Sequence, residues 1–401
     1  MKIDYITMQF PVPSETFASL DVEALREQGV KVSVRCMRFK HPLFSEMMKD
    51  RKHQGLEVSH FSLSRLFFSI LFVIRHPVIA ASLFSWVTLN CIKSPKHFIK
   101  SVVLLPSAIS IFNNINKDRP DVVHLFWGHY PAMVGYLVKR FIPNIVVSQF
   151  LGAHDLVTNY PCSISLAKEV DKLFTHSHSN LATLSKAGVD TKGIEVVFRG
   201  TKLINVENVN RKDMCDDNHP VFLTASRLIE EKGVDDVLRV YEKVAALYPK
   251  SKLIIAGDGP YRDKLEKLIS EIGCEGSVDF IGHVSQPELI KEMAKANFFL
   301  LMSRYPSERL PNVVKEAMYQ QCVVITTETH GIRELIEHEV EGFIVKKNDI
   351  DEAYKLISQC IDSPQRYVST TTAAKKKIEE NFNVNKTMAR YIDVWFECLN
   401  K

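Results

Sequence analysis

Residues 221–247 read VFLTASRLIEEKGVDDVLRVYEKVAAL, and their reading decides the fold. VFLTAS is a short apolar run of strand length and Val234–Leu247 follows the helical repeat, so the segment is a strand, a polar turn and a helix. The unit recurs downstream: KLIIAG as strand, Tyr261–Ile272 as helix, VDFIG as strand, Gln286–Ala296 as helix, NFFLLMS as strand. CVVITT and GFIV follow as strands, and three helical segments close the alternation. Strands that alternate with helices in this way predict a parallel sheet with crossover helices. Ligands of such sheets bind beyond the carboxyl ends of the strands.

Upstream the same alternation is read, with strands near Ile3–Thr7, Lys31–Met37, Asp121–Phe126, Asn144–Phe150, Lys172–Thr175 and Ile194–Val197. Thr16–Gln28 is an amphipathic helix between the first two, and a long helical insert runs from about Phe61 to Ile111. From Arg199 to Asn218 periodicity is lost in a polar stretch that reads as a linker. A chain of 401 residues, 46% hydrophobic, is too long for one ordinary core. The expected class is α/β, with two Rossmann-like, doubly wound domains facing across a cleft. No internal repeat or low-complexity tract is visible.

A net charge of +4, from 51 basic and 47 acidic side chains, is far from the dense basic stripe of a nucleic-acid binder, so no nucleic-acid partner is expected. The distribution says more. Between Val58 and Lys117 there is no Asp or Glu, while Arg65, Arg75, Lys93, Lys96, Lys100 and Lys117 are interleaved with Phe, Trp, Leu and Ile. One reading is a surface that lies on an anionic membrane leaflet; the plainer one is a pair of buried helices. The apolar runs Leu66–Ile74 and Pro77–Ile92 are each shorter than a spanning helix needs. Eight cysteines show no C-x-x-C pair and no His cluster suggesting zinc, so no metal is expected, and they read as reduced thiols of a cytoplasmic protein. MKIDYITMQF is broken by Asp4 and Gln9 and reads as an opening strand rather than a secretory signal.

The chemistry follows the strand ends. Arg227 and Lys232 lie five residues apart after VFLTAS, before Gly233. Two fixed cations can clamp a diphosphate, although alone they also read as surface residues beside Glu230 and Glu231. GDGP, Gly257–Pro260, starts like a dinucleotide fingerprint but lacks its third glycine, and a turn that needs glycine suffices to explain it. SERLPNVVKEAM, Ser307–Met318, places Pro311 at the first position of a helix, with the amides around Arg309–Val313 aimed at an anion. Glu308 precedes that helix and Glu316 falls in its second turn, where they can accept hydrogen bonds from sugar hydroxyls; the plainer reading is a dipole-favouring acid and a solvated one. Cations for a diphosphate together with carboxylates for diols are what a nucleotide-sugar requires.

These runs, together with VDFIGHVSQPELIKEMAKANFFLLMS and THGIRELIEHEVEGFIV, resemble the donor-binding domain of the retaining glycosyltransferases of family 4, which have the two-domain GT-B fold. FPVPSETF, HLFWGHYPA and FLGAHD resemble, more loosely, members that build capsular, exopolysaccharide or lipopolysaccharide chains. The resemblance implies an acceptor-binding domain over residues 1–205, a donor-binding domain over 206–380, and a helix over 381–401 that crosses back to the first. It assigns the donor diphosphate to Arg227, Lys232 and the turn Leu310, Pro311 and Asn312. The ribose goes to Glu316, the base to the loop of His283 and Val284 beside Gly257, and the donor sugar to Glu308. Ser14, Glu15 and Thr16 fall where acceptor contacts are expected, although PVPSET replaces the family's usual glycine pair. The family's catalytic His-Gly has no gapless counterpart, which leaves His154 and His129 as candidates with His124 behind them. Arg309 stands where the family has glycine, so it either crowds the sugar or binds an acidic one.

The implied activity is metal-independent, retaining transfer from a nucleotide-sugar to a lipid-linked or growing polysaccharide acceptor, at the inner face of the cytoplasmic membrane. The nucleotide-sugar is a substrate, and no cofactor is expected. The rivals are an epimerase of the same shape and a catalytically silent partner that binds nucleotide or glycan.

Overall fold

The computed structural model describes residues 1–12, 16–51, 53–206, 219–305 and 308–401. They form two compact units, one of Met1–Gly200 with Val384–Lys401 and the other of Thr201–Asn383. The first unit thus ends at Gly200 rather than at residue 205, and it takes back the helix Val384–Leu399.

In the first unit seven strands, β1 (Lys2–Thr7), β2 (Lys31–Cys36), β3 (Glu57–Ser59), β4 (Val122–Leu125), β5 (Val146–Phe150), β6 (Lys172–Thr175) and β7 (Ile194–Val196), form one sheet in the order β3-β2-β1-β4-β5-β6-β7. Every pairing is parallel, with Ile3 opposite Val122 and Tyr5 opposite His124. Alternation along the strands sends side chains to two cores. Val123 and Leu125 pack under helices Pro77–Cys91, Pro95–Asp118 and Ala132–Phe141, whereas Tyr5 and Val122 pack under helices Thr16–Glu27 and Val384–Leu399.

His124 belongs to the second of these faces. It is buried, its Nδ1 lies 2.9 Å from Ser148 Oγ, and its ring meets Tyr391 and Trp395 of helix 384–399. Trp395 Nε1 donates to the same Ser148 Oγ at 2.8 Å. Burial, with Arg199 adding to it, pushes the His124 pKa down to about 3, so this histidine is a neutral core residue rather than a catalytic one.

In the second unit β8 (Val221–Ala225), β9 (Lys252–Ala256), β10 (Val278–Gly282), β11 (Phe298–Leu301), β12 (Val323–Thr327) and β13 (Phe343–Val345) form a parallel sheet in the order β10-β9-β8-β11-β12-β13. The strand order reverses between β8 and β11. A crevice beyond the strand ends opens at such a switch point, and the loops after β8 and β11 are the ones that carry Arg227, Lys232 and Glu308.

The insert of the first unit is helical, in three pieces. Helix Leu63–Arg75 ends at His76, helix Pro77–Cys91 begins at its proline, and the two meet at 104°. Helix Pro95–Asp118 is the one helix among the described residues that is long and apolar enough to cross a membrane, and its Ala108, Ile111, Phe112 and Ile115 are buried in the first unit's core.

Candidate functional site

In the second unit the site grows out of two loops. After β8 the chain turns through Glu230–Lys232 and enters helix Val234–Leu247 at Gly233, which has φ +65°. A Cβ there would lie 2.0 Å from the Met302 carbonyl oxygen, so only glycine lets this turn rest on the end of β11. The contact brings Lys232 to Glu308: Nζ and Oε2 are ion-paired, with the two side chains 15% and 14% exposed. Ser303 Oγ donates to the same carboxylate oxygen at 3.2 Å.

Arg304 fastens the loops further. Its Nη2 lies 2.8 Å from Asp235 Oδ2 and 2.6 Å from Asp236 Oδ2, and its amide donates to the Glu231 carbonyl at 2.7 Å. Sequence reasoning missed Arg304, whose aspartates are far off in the chain and meet it only because β8 and β11 are neighbours.

Glu316 sits on helix Asn312–Tyr319 and is 6% exposed. Gln286 Nε2 donates to its Oε1 at 2.7 Å. Burial raises the Glu316 pKa, against the smaller opposing pulls of that hydrogen bond and of Lys315. Gln286 opens helix Gln286–Lys295, whose start is fixed by a Ser285–Glu288 capping box. Nothing in the spacing of the sequence points from Gln286 to Glu316. Pro311 is the residue that caps this helix, in extended backbone at ψ 131°, so the first helical position belongs to Asn312 rather than to the proline. Asn312 Oδ1 accepts from Lys315 Nζ at 3.2 Å, and Leu310 and Arg309 are half-buried. Burial lowers the Arg309 pKa, with Glu334 opposing.

A pocket of about 320 Å³ is lined by Arg227, Gly257, Asp258, His283, Val284 and Val313, with Ala225, Ser226, Ala256 and Leu289 completing its wall. Arg227 is exposed, and its guanidinium has no hydrogen-bond or ion-pair partner among the described residues. Gly257, at φ +136°, would place a Cβ 1.9 Å from the Ser226 carbonyl oxygen, and Gly259 would place one 2.4 Å from that of Leu228. The GDGP turn therefore needs glycine in order to lie against the loop that carries Arg227. That packing accounts for the motif without a dinucleotide.

In the first unit, Asp155 organises the loops after β4 and β5. It is 1% exposed; one oxygen accepts the Gly152 amide at 2.9 Å and the other lies 3.1 Å from His129 Nδ1. The bond directs the Nδ1 proton to the carboxylate, while Nε2 has no partner among the described residues. The ring is stacked on Tyr160 at 5.1 Å. His154, one residue before Asp155, is exposed and has no such partner among the described residues. The Arg199 guanidinium lies over Phe17, Phe126, Trp127 and Phe150 at 4.2 to 5.5 Å, a cation held by four rings that sequence reasoning did not find. Thr16 opens helix Thr16–Glu27 and is exposed, whereas Ser14 and Glu15 lie outside the described residues. Among the described residues no group of three or more His, Cys, Asp or Glu side chains is placed to hold a metal ion.

Residues 206–377 match the profile of the family described as Glycosyl transferases group 1. The amylovoran biosynthesis glycosyltransferase AmsK of Erwinia amylovora is 24% identical over 405 aligned residues, covering 96% of each chain. The lipopolysaccharide core biosynthesis glycosyltransferase LpsE of Rhizobium meliloti is 24% identical over 63% of this chain and 73% of its own. Among solved structures, Anabaena Alr3699/HepE in complex with UDP superposes with a TM-score of 0.74 at 18% identity, over 99% of this chain and 100% of that one.

Proposed function

We propose that this chain, whose residues 206–377 match the group 1 glycosyl transferase profile and whose fold is that of GT-B, is a glycosyltransferase that moves a sugar from a nucleotide-sugar donor to a lipid-linked or growing polysaccharide acceptor, with retention of configuration and without a metal. The observation that carries this reading is the meeting of Lys232 and Glu308 at the β8–β11 switch point, with Arg227 lining the adjoining pocket. Arg227 and Lys232 neutralise the donor diphosphate as it leaves, the task otherwise given to a divalent cation. The amides at the start of helix Asn312–Tyr319 add to their pull.

Glu316, already hydrogen-bonded to Gln286, is assigned the ribose hydroxyls, and the pocket beside Gly257, His283 and Val284 the base. Glu308 is shared between Lys232 and the donor sugar. In the first unit His129, held by Asp155, is assigned the catalytic role in preference to the exposed His154. The names of the relatives, which build amylovoran and lipopolysaccharide core, support the acceptor class, and the UDP bound by HepE makes a uridine donor the first to try. The enzyme is assigned to the inner face of the cytoplasmic membrane, where such an acceptor is anchored.

A thermal-shift panel with UDP, GDP, CMP and their sugar conjugates, with and without chelator, tests the donor site. One nucleotide at a hundredfold its Kd stabilises the native state by about 2.7 kcal/mol. The expected shift is indifferent to chelator and absent in Glu316→Ala. A panel in which no nucleotide moves Tm would sink the reading. In turnover assays His129→Ala is expected to lose roughly 10²-fold in kcat while His154→Ala stays near wild type; the reverse order would move the role to His154.

A further inference from the structure

Eleven of the twenty large hydrophobic side chains exposed among the described residues lie between Leu63 and Val103. Leu63, Phe67, Ile74, Val78 and Leu89 are each 58 to 79% exposed. Apolar surface gathered in this way marks an interaction site. Its charge is of one sign: Arg75, Lys93, Lys96 and Lys100 are exposed, and the segment from Val58 to Lys117 holds no acid.

The 104° bend between helices 63–75 and 77–91 leaves space between them and helix 95–118. This space is a pocket of about 450 Å³, with walls that include Ile70, Val73, Ile74, Phe84, Leu105 and Ile109. Ile70, Ile74 and Phe84 are exposed whereas Ile109 is buried, so the pocket runs from the apolar surface into the core of the insert. Ser69 also lines it, but its Oγ lies 2.7 Å from the Arg65 carbonyl and 2.8 Å from the Pro106 carbonyl, and its proton is committed to the backbone. Water finds too few hydrogen-bonding partners in such a space.

We propose that this pocket receives one hydrocarbon chain of an anionic membrane lipid, while the surrounding apolar and basic side chains seat on the leaflet. The inference deepens the reading of a membrane-anchored acceptor and rests on it. Charge selects the occupant: a segment that is cationic and free of acids is complementary to an anionic headgroup layer, and an apolar pocket lined wholly by that segment is complementary to the chain beneath it.

The test is co-sedimentation of the full chain with vesicles of equal parts phosphatidylglycerol and phosphatidylcholine, against phosphatidylcholine alone. At low salt wild type is expected on the anionic vesicles only. Ala81→Trp fills the pocket while adding apolar surface, so its retention should fall roughly tenfold. Should that variant melt early, two substitutions at exposed positions decide instead: Ile74→Asn at the pocket and Leu89→Asn away from it. A larger loss for Ile74→Asn supports a chain in the pocket. Equal losses, or unchanged binding by a folded Ala81→Trp, would overturn it, and so would failure of wild type to sediment. The nucleotide panel on the same preparation separates the two readings: a nucleotide shift without vesicle binding defeats only the lipid site, and vesicle binding without any nucleotide shift defeats the donor site.

Discussion

Glu316 is held away from water, and its raised pKa has a cost in stability. Its folded form binds a proton more tightly than its unfolded form, so its contribution is favourable only at acid pH and is lost as pH rises from the ordinary carboxylate range through the raised value. Glu316→Gln, which keeps an oxygen to accept from Gln286, is therefore expected to melt higher than wild type at pH 7 and to show little difference at pH 4, while losing the nucleotide-induced shift. A variant that melts lower at pH 7 would remove the argument. Retention of an expensive carboxylate is what a binding residue shows. Arg227, Lys232, Glu308 and Glu316 could be named as candidates from the sequence because each follows a strand end. Gln286, Arg304, Arg199 and the His129–Asp155 pair were not, since their partners are brought together by strand order and not by spacing.

The elements show the same division. Strand and helix positions were read nearly to the residue wherever a run of apolar periodicity was long enough, as in helix Val234–Leu247. β3 escaped because Glu57–Ser59 is three residues with no pattern of its own. The bend at His76–Pro77 was visible as a break, but its 104° angle depends on what the two helices pack against. Likewise GDGP was correctly read as a turn, and only the packing shows why it needs glycine. Gly257→Ala should destabilise the second unit by about 2–4 kcal/mol, because the added methyl meets the Ser226 carbonyl in a backbone conformation that alanine avoids. Urea unfolding measures this, and a loss below about 0.5 kcal/mol would mean that the turn relaxes freely.

At the scale of the whole molecule, two buried histidines make the first unit sensitive to acid. Burial holds His124 down at about 3 and His53 at about 4. Both stay neutral in the folded state and charge in the unfolded one, so the stability they lend is complete above about pH 6.5 and drains away as pH falls below it. Each contributes a slope of up to about 1.4 kcal/mol per pH unit. Urea midpoints between pH 7.5 and 5 should fall in wild type and fall less in His124→Gln; equal slopes would refute the assignment. The two-unit division was legible from length and alternation, and the return of residues 384–399 to the first sheet, which the family resemblance implies, is built by a core that spans the chain. That union has a bearing on synthesis. Phe174 and His124 wait for Tyr391 and Trp395, which leave the ribosome only after all of Thr201–Asn383 has been translated. At the usual pace of elongation the wait lasts roughly 10–40 s. During it the nascent first sheet keeps one aromatic face uncovered, a natural target for chaperones, while the later-born unit is free to finish folding before the earlier one.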